Sequence, residues 1–311
     1  MGGTPKKILV ACMLLAGSLQ SGPAPAAEPA VTGNRPEAVR PASKITSWSL
    51  RLPQETNVIY QGQASNDQPG GSTASMLYPA PNIAGFIAAL ITHGVILDST
   101  RNAQLEKNRL MANQVLLPYQ HIFDGYFYRE LMQSGLEKMA AAGSRKLVEY
   151  PEKPGSEWFI ESMPVYSMTQ DQLAIIIDNA ITIYAPNETV NPAFKNVVRV
   201  VSRPDRKSDP LAHWAANAGE NLKSESARLL AESLDLAFAE INSESAKRLN
   251  PQRTVRYLEG AKENMERGEV VNEKCDRVVL KNLRGWMMSV PVDPAGSTTP
   301  CPDKTQAVSG Q

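Results

Sequence analysis

The sequence predicts an α+β fold, a mostly antiparallel sheet of about 4–6 strands with helices packed on one face. Three observations carry this reading. Apolar residues fall on alternate positions at Leu173, Ile175, Ile177, Ile181 and Ile183, the period of a strand. Elsewhere they recur every three or four residues, as at Leu230, Leu234, Ala237 and Ile241, the period of one helix face. The strand-like segments also come in a run rather than alternating with helices, which favours α+β over a doubly wound sheet.

In chain order, Trp48, Leu50 and Leu52 alternate with polar residues and predict a first strand, with a second over residues 58–60. Residues 83–97 are apolar nearly all round and follow Asn82, a plausible N-cap. A helix this apolar is buried in protein or in lipid. Its 15 residues span about 22 Å, short of a hydrocarbon core of about 30 Å. The helical part continues to about residue 143: residues 99–117, a break at Pro118, then one helix carrying Phe123, Phe127, Leu131, Met132, Leu136 and Met139. The sheet part covers residues 146–203, with strands at 146–150, 158–168, 173–183 and 196–202 joined by short links, an antiparallel meander. Asp209-Pro210 and Asn250-Pro251 each pair a favoured N-cap with a favoured first helical residue, so helices are predicted over 210–267, with Gly268 as the final cap. A last strand is expected over 277–290. The whole of 44–290 reads as a single α+β domain.

The two ends read differently. Lys6 and Lys7 precede an apolar run over residues 8–19 and the small-residue sequence Ala24-Pro-Ala26. Charge, apolar core and an A-x-A site in that order make a secretory signal peptide, with cleavage after Ala26 or Ala27. The expected location is the periplasm. Cys12 sits in a Leu-Val-Ala-Cys context like a lipidation box, but too few apolar residues precede it, so a lipid-anchored form is the lesser alternative. Residues 27–43 are a Pro/Ala-rich linker, and 291–311 a Pro-rich flexible tail. With Cys12 removed, Cys275 and Cys301 form an even pair, which in an oxidising compartment predicts a disulfide tethering that tail. Closing its loop of 26 residues is worth about 3–3.5 kcal/mol in the chain-entropy view.

Composition excludes several functions. The chain has 311 residues, 32 basic and 32 acidic. With no basic excess to neutralise phosphates, nucleic-acid binding is not expected. Nucleophile-elbow, phosphate-loop, dinucleotide-binding and paired-histidine metal motifs do not occur, so the sequence predicts no catalytic residue, cofactor or metal site. His93, His121 and His213 lie far apart in sequence. His93 reads as a core residue and the other two as surface or capping residues. Glu161 and Asp178 fall on strands without the opposed spacing of a glycosidase pair. Asp178-Asn179 reads as a bulge or a solvent-facing position.

The candidate partner or ligand surface is therefore Phe86, Ile87, Leu90 and Ile91 in the apolar run, with Arg284 and Trp286 in the last strand. Trp286 reads first as core. The expected role is a non-catalytic binding or scaffolding module of the cell envelope, partnered by an envelope protein or by itself. Membrane contact through residues 83–97 stays open, without a transmembrane span. Two alternatives stand: an exported hydrolase whose site is assembled in space, and a module binding lipid or a small apolar ligand.

Overall fold

Branched apolar residues build the centre of the sheet. The elements of the computed structural model are, in order, β1 (Ser47–Arg51), β2 (Ile59–Gly62), α1 (Ser99–Ala112), a 3-10 helix (Asn113–Tyr119), α2 (Gln120–Phe123), α3 (Tyr128–Lys138), β3 (Ser144–Val148), β4 (Trp158–Met168), β5 (Ile175–Tyr184), β6 (Phe194–Val201), α4 (Pro210–Asn242), β7 (Gln252–Glu259), β8 (Lys262–Lys274), β9 (Arg277–Asn282) and β10 (Met287–Pro291). The structure describes residues 45–63, 99–141, 143–206, 209–242, 251–274 and 276–292. All belong to one compact unit, Arg40–Gln311. The leader, the linker, the apolar run 83–97 and the tail beyond 292 lie outside the described residues, as do Cys275 and Cys301.

The fold is a mixed α+β one, dominated by a single 10-stranded sheet in the order β3-β1-β4-β5-β6-β10-β9-β8-β7, with β2 also on β4. The sheet is larger than the expected 4–6 strands. It is also less antiparallel: β4-β5-β6 is the antiparallel meander read from the sequence, but β1 runs parallel to β3 and β4, β2 parallel to β4, and β10 parallel to β6. Parallel partners need long connections, and those pairings leave no local signal in the sequence.

The extra strands come from two misread segments. Residues 252–268, expected as helix and its cap, lie instead in the β7–β8 hairpin of residues 252–274. Val255 and Tyr257 alternate inward there, and Gly260 makes the turn at φ +63. A Cβ at Gly260 would lie 2.4 Å from the Asp171 carboxylate, so only glycine fits. Pro251 precedes a strand rather than starting a helix. Residues 277–290, expected as one strand, are β9 and β10 around a tight turn in which Gly285 has φ +80. The helix expected through Phe127 is also broken: α2 ends at Phe123, α3 starts at Tyr128, and Phe127 is 46% exposed instead of lying on the buried stripe.

The sheet separates two apolar clusters. Ile175, Ile177, Ile181 and Ile183 of β5 join Leu131, Leu136, Leu222, Leu230 and Leu234 of α3 and α4. Alternate residues of the same strands face the other way, and Ile176 and Val201 join Val255, Tyr257, Leu280 and Met288 of the late strands. The far end of the sheet thus curls back over its own middle. Two links pin the curl: Asp171 accepts from the Ala261 N–H (2.6 Å), and Gln63 donates to Glu259 (2.6 Å).

Asp178 and Asn179, expected at a bulge or in solvent, are both buried. Asn179 accepts from Ser162 (2.8 Å) and donates to Ser233 of α4 (2.9 Å). Asp178 faces the curl and grips Arg199 of β6 through two contacts of 2.7 Å. Burial of these groups is offset by complete pairing, which is how polar residues survive inside a strand.

Candidate functional site

α4 starts as its sequence dictates, with Asp209 Oδ1 accepting from the Leu211 N–H (3.0 Å). Then it breaks. Ala216 is extended (ψ 140), and Asn217, Ala218 and Gly219 all take positive φ, at 51, 58 and 85. Asparagine and glycine accept the left-handed region readily, whereas for Ala218 it costs about 1–2 kcal/mol. Gly219 is required twice over, because a Cβ there would also lie 2.6 Å from Ile122. Asn221 braces the break by donating to the His213 carbonyl (2.9 Å). Strained backbone held by its surroundings concentrates at functional sites.

Beside this break lies an open cleft of about 610 Å³. The first turn of α4 contributes His213 and Trp214, and the resumed helix Asn221, Ser224, Glu225 and Arg228. Arg203 and Asp205 come from the loop after β6, and Asp276 and Arg277 from the start of β9. Trp214 donates to the Gln172 carbonyl (2.6 Å), and its ring meets His213 edge-on at 4.6 Å.

A chain of charges runs through the cleft. Arg228 holds Glu225 with two contacts (2.8 and 2.7 Å) and Glu232 with a third (2.9 Å). Arg277 donates to Glu232 and Ser289 (2.6 and 2.7 Å), and to the carbonyls of Val201 and Ser289 (2.6 and 3.1 Å). Arg203 pairs with Asp276 at the rim. Burial pulls the Arg277 guanidinium below its ordinary value, and nearby Arg228 adds to this against the opposing pull of Glu232. Burial also acts on Arg228, but the hydrogen bonds and charges of Glu225 and Glu232 outweigh it and raise the value. Both side chains stay charged, because guanidinium does not lose its proton in proteins.

The cleft has the chemistry of ionic recognition. Ser224 is the nucleophile-type residue in it, and its hydroxyl accepts from Lys138 at 3.3 Å. A serine–lysine pair needs a desolvated lysine to act as base, and Lys138 is exposed. His121 is also exposed. Among the described residues no three His, Cys, Asp or Glu are grouped to hold a metal ion, and no helix is long and apolar enough to cross a membrane.

Of the residues singled out in the sequence, Phe86, Ile87, Leu90, Ile91 and His93 lie outside the described residues, as does the Cys275–Cys301 pairing. Arg284 and Trp286 come together away from the cleft, in the β9–β10 turn, with the guanidinium 6.0 Å from the indole centroid. Trp286 is half-buried, not core. Asn282 organises this turn by accepting from the N–H groups of Arg284 and Trp286 (both 3.0 Å). Glu161 pairs with Arg51 (2.8 Å), a strand-to-strand contact. The arginines of the cleft went unremarked in the sequence. Two signals pointed to them: the Asn217-Ala-Gly219 interruption, and the Glu225–Arg228–Glu232 spacing of three and four that follows it.

No family model, no curated protein and no solved structure matches this chain.

Proposed function

We propose that this chain is an exported cell-envelope protein that works as a non-catalytic binding or scaffolding module, with the cleft at the break in α4 as its docking site. The observation that carries the reading is the state of the cleft: Arg203, Arg228 and Arg277 are all engaged in ion pairs, beside a strained backbone segment. Such an array recognises charge and shape and supplies no activated nucleophile. Export rests on the basic leader, apolar run and A-x-A site of residues 1–26. The periplasm is the location this implies, with lipidation at Cys12 as the lesser form, and the same compartment supports a Cys275–Cys301 disulfide.

The test is mild crosslinking in the native host, followed by co-purification of wild type and a Trp214→Ala variant. A crosslinked partner captured by wild type and lost with Trp214→Ala is the expected result. A chain that always elutes as a lone monomer refutes the reading. One observation favours a hydrolase as the second reading: His213 and Ser224 line the same cleft. Hydrolysis of ester or peptide substrates that Ser224→Ala abolishes would replace the binding reading with that one.

A further inference from the structure

We infer that the β7–β8 hairpin is a pH-sensitive flap, shut over the concave face of the sheet when Glu266 carries a proton and loosened when Glu266 is ionised. The flap covers the face of the sheet that α4 does not, so it works independently of the docking site.

The hairpin is built to open before the rest of the sheet. It lies at one end of the strand order, and β7 pairs with β8 alone. Its inward residues Val255 and Tyr257 belong to the smaller apolar cluster, whereas the meander β4-β5-β6 also packs on the helices. Its tip is fastened by polar contacts, the Ala261 N–H to Asp171 and Gln63 to Glu259. Segments with little buried apolar surface open locally at a lower free energy than the whole fold.

The groups facing Glu266 set the direction of the response. Glu266 lies opposite Val255 in the β7–β8 ladder and shares its inward face. From β6 comes Arg199, gripped by Asp178 of β5 through two contacts of 2.7 Å. From β7 come Tyr257 and Glu259, whose carboxylate accepts from Gln63 (2.6 Å), Asn264 (2.8 Å) and the Tyr257 hydroxyl (3.1 Å). Arg253, further along β7, pairs with Glu273 of β8. Asn282 of β9 hydrogen-bonds Glu266, and Arg284 reaches it from the β9–β10 turn. Apart from the Arg253–Glu273 pair, three carboxylates, Asp178, Glu259 and Glu266, thus face two guanidiniums, Arg199 and Arg284. Arg199 is taken up by Asp178, and Arg284 is exposed, so solvent weakens its hold. Ionised Glu266 is the surplus charge. Burial is the main reason its carboxyl is raised in the closed curl, and Glu259 adds to this, while Arg284, Arg199 and the Asn282 hydrogen bond pull the other way. Opening returns Glu266 to water, so the closed form holds the proton more tightly than the open one. Closure is therefore strongest below the ordinary glutamate value of about 4.3 and weakens as pH rises through the closed-state value.

The experiment is hydrogen exchange on the purified full chain, read by mass spectrometry at about pH 4.5 and about pH 8 and corrected for the intrinsic pH dependence of amide exchange. In wild type, opening of residues 252–274 is expected to be severalfold more frequent at the higher pH, while the meander over residues 158–201 keeps its protection. Glu266→Gln keeps the shape and removes the charge, and is expected to hold the hairpin at its low-pH protection at both values. Glu263→Gln, on the exposed side of the same strand, is the control and is expected to respond as wild type does. Equal hairpin protection at the two pH values in wild type overturns the inference. So does an undiminished pH response in Glu266→Gln, and so does a meander that loses protection in step with the hairpin, which marks global unfolding rather than a flap.

Discussion

The pair Asp178–Arg199 invites the sharpest test of how the curl is held. Asp178 is 5% exposed, and the Arg199 side chain 20%. Removing one member of a buried ion pair usually costs about 3–5 kcal/mol, because the other is left charged and unpaired. Here the two members are not equivalent. Burial opposes the Arg199 charge, but Asp178 and then Glu259 more than restore it, and the guanidinium ends above its ordinary value. Asp178→Asn therefore leaves Arg199 with Glu259 close by, and the expected loss is at the lower end, about 3 kcal/mol. Arg199→Met leaves Asp178 and Glu259 in one curl with no cation between them, and the loss rises to about 4–5 kcal/mol. The double variant Asp178→Leu/Arg199→Met removes both charges and fills the space with apolar atoms, so it stays within about 1.5 kcal/mol of wild type. Urea unfolding followed by far-UV circular dichroism measures all four proteins. Single losses below about 1 kcal/mol, or a double variant that costs the sum of the singles, refute the account.

Three further outcomes are expected. Gly62→Ala places a Cβ 1.8 Å from the Ala112 carbonyl oxygen, a backbone contact that cannot swing aside, so the urea midpoint falls by the equivalent of about 3 kcal/mol or more. Leu230→Ala empties a fully buried position where Leu230 packs on Gly135, and calorimetry should show a loss of about 2.7–5 kcal/mol. Glu266 is raised by burial, with Arg284 and Arg199 pulling the other way. A carboxyl raised on folding favours the native state most below its unfolded value of about 4.3, and that advantage is lost as pH rises through the folded value. Glu266→Gln should therefore match wild type in stability near pH 4 and exceed it at pH 7.5, measured by urea midpoints at the two pH values.

The parts legible in the sequence are those whose signal is local. The meander β4-β5-β6 declared itself through period-two isoleucines, and the start of α4 through Asp209-Pro210. The β7–β8 hairpin did not. Asn250-Pro251 imitates a helix start, and the choice of strand depends on Val255 and Tyr257 finding Ile176 and Val201 across the curl, a contact no window of sequence contains. Asp178-Asn179 misled for a related reason. A polar pair inside an apolar strand looks like exposure until Arg199, Ser162 and Ser233 are seen to satisfy it. The cleft is the hardest case, because its arginines come from three separate segments and only the fold assembles them.

The parallel seating of β1 and β2 on β4 has a consequence in time. Ser49 of β1 meets Glu157, 108 residues later, and Gln61 of β2 meets Ser167, 106 residues later. Asp178 and Arg199, by contrast, are 21 residues apart. A polypeptide delivered amino-end first therefore presents Trp48 and Leu50 long before their seats exist, while the meander closes almost as soon as it is made. During that interval Trp48 and Leu50 of the first strand wait for their partners in β3 and β4.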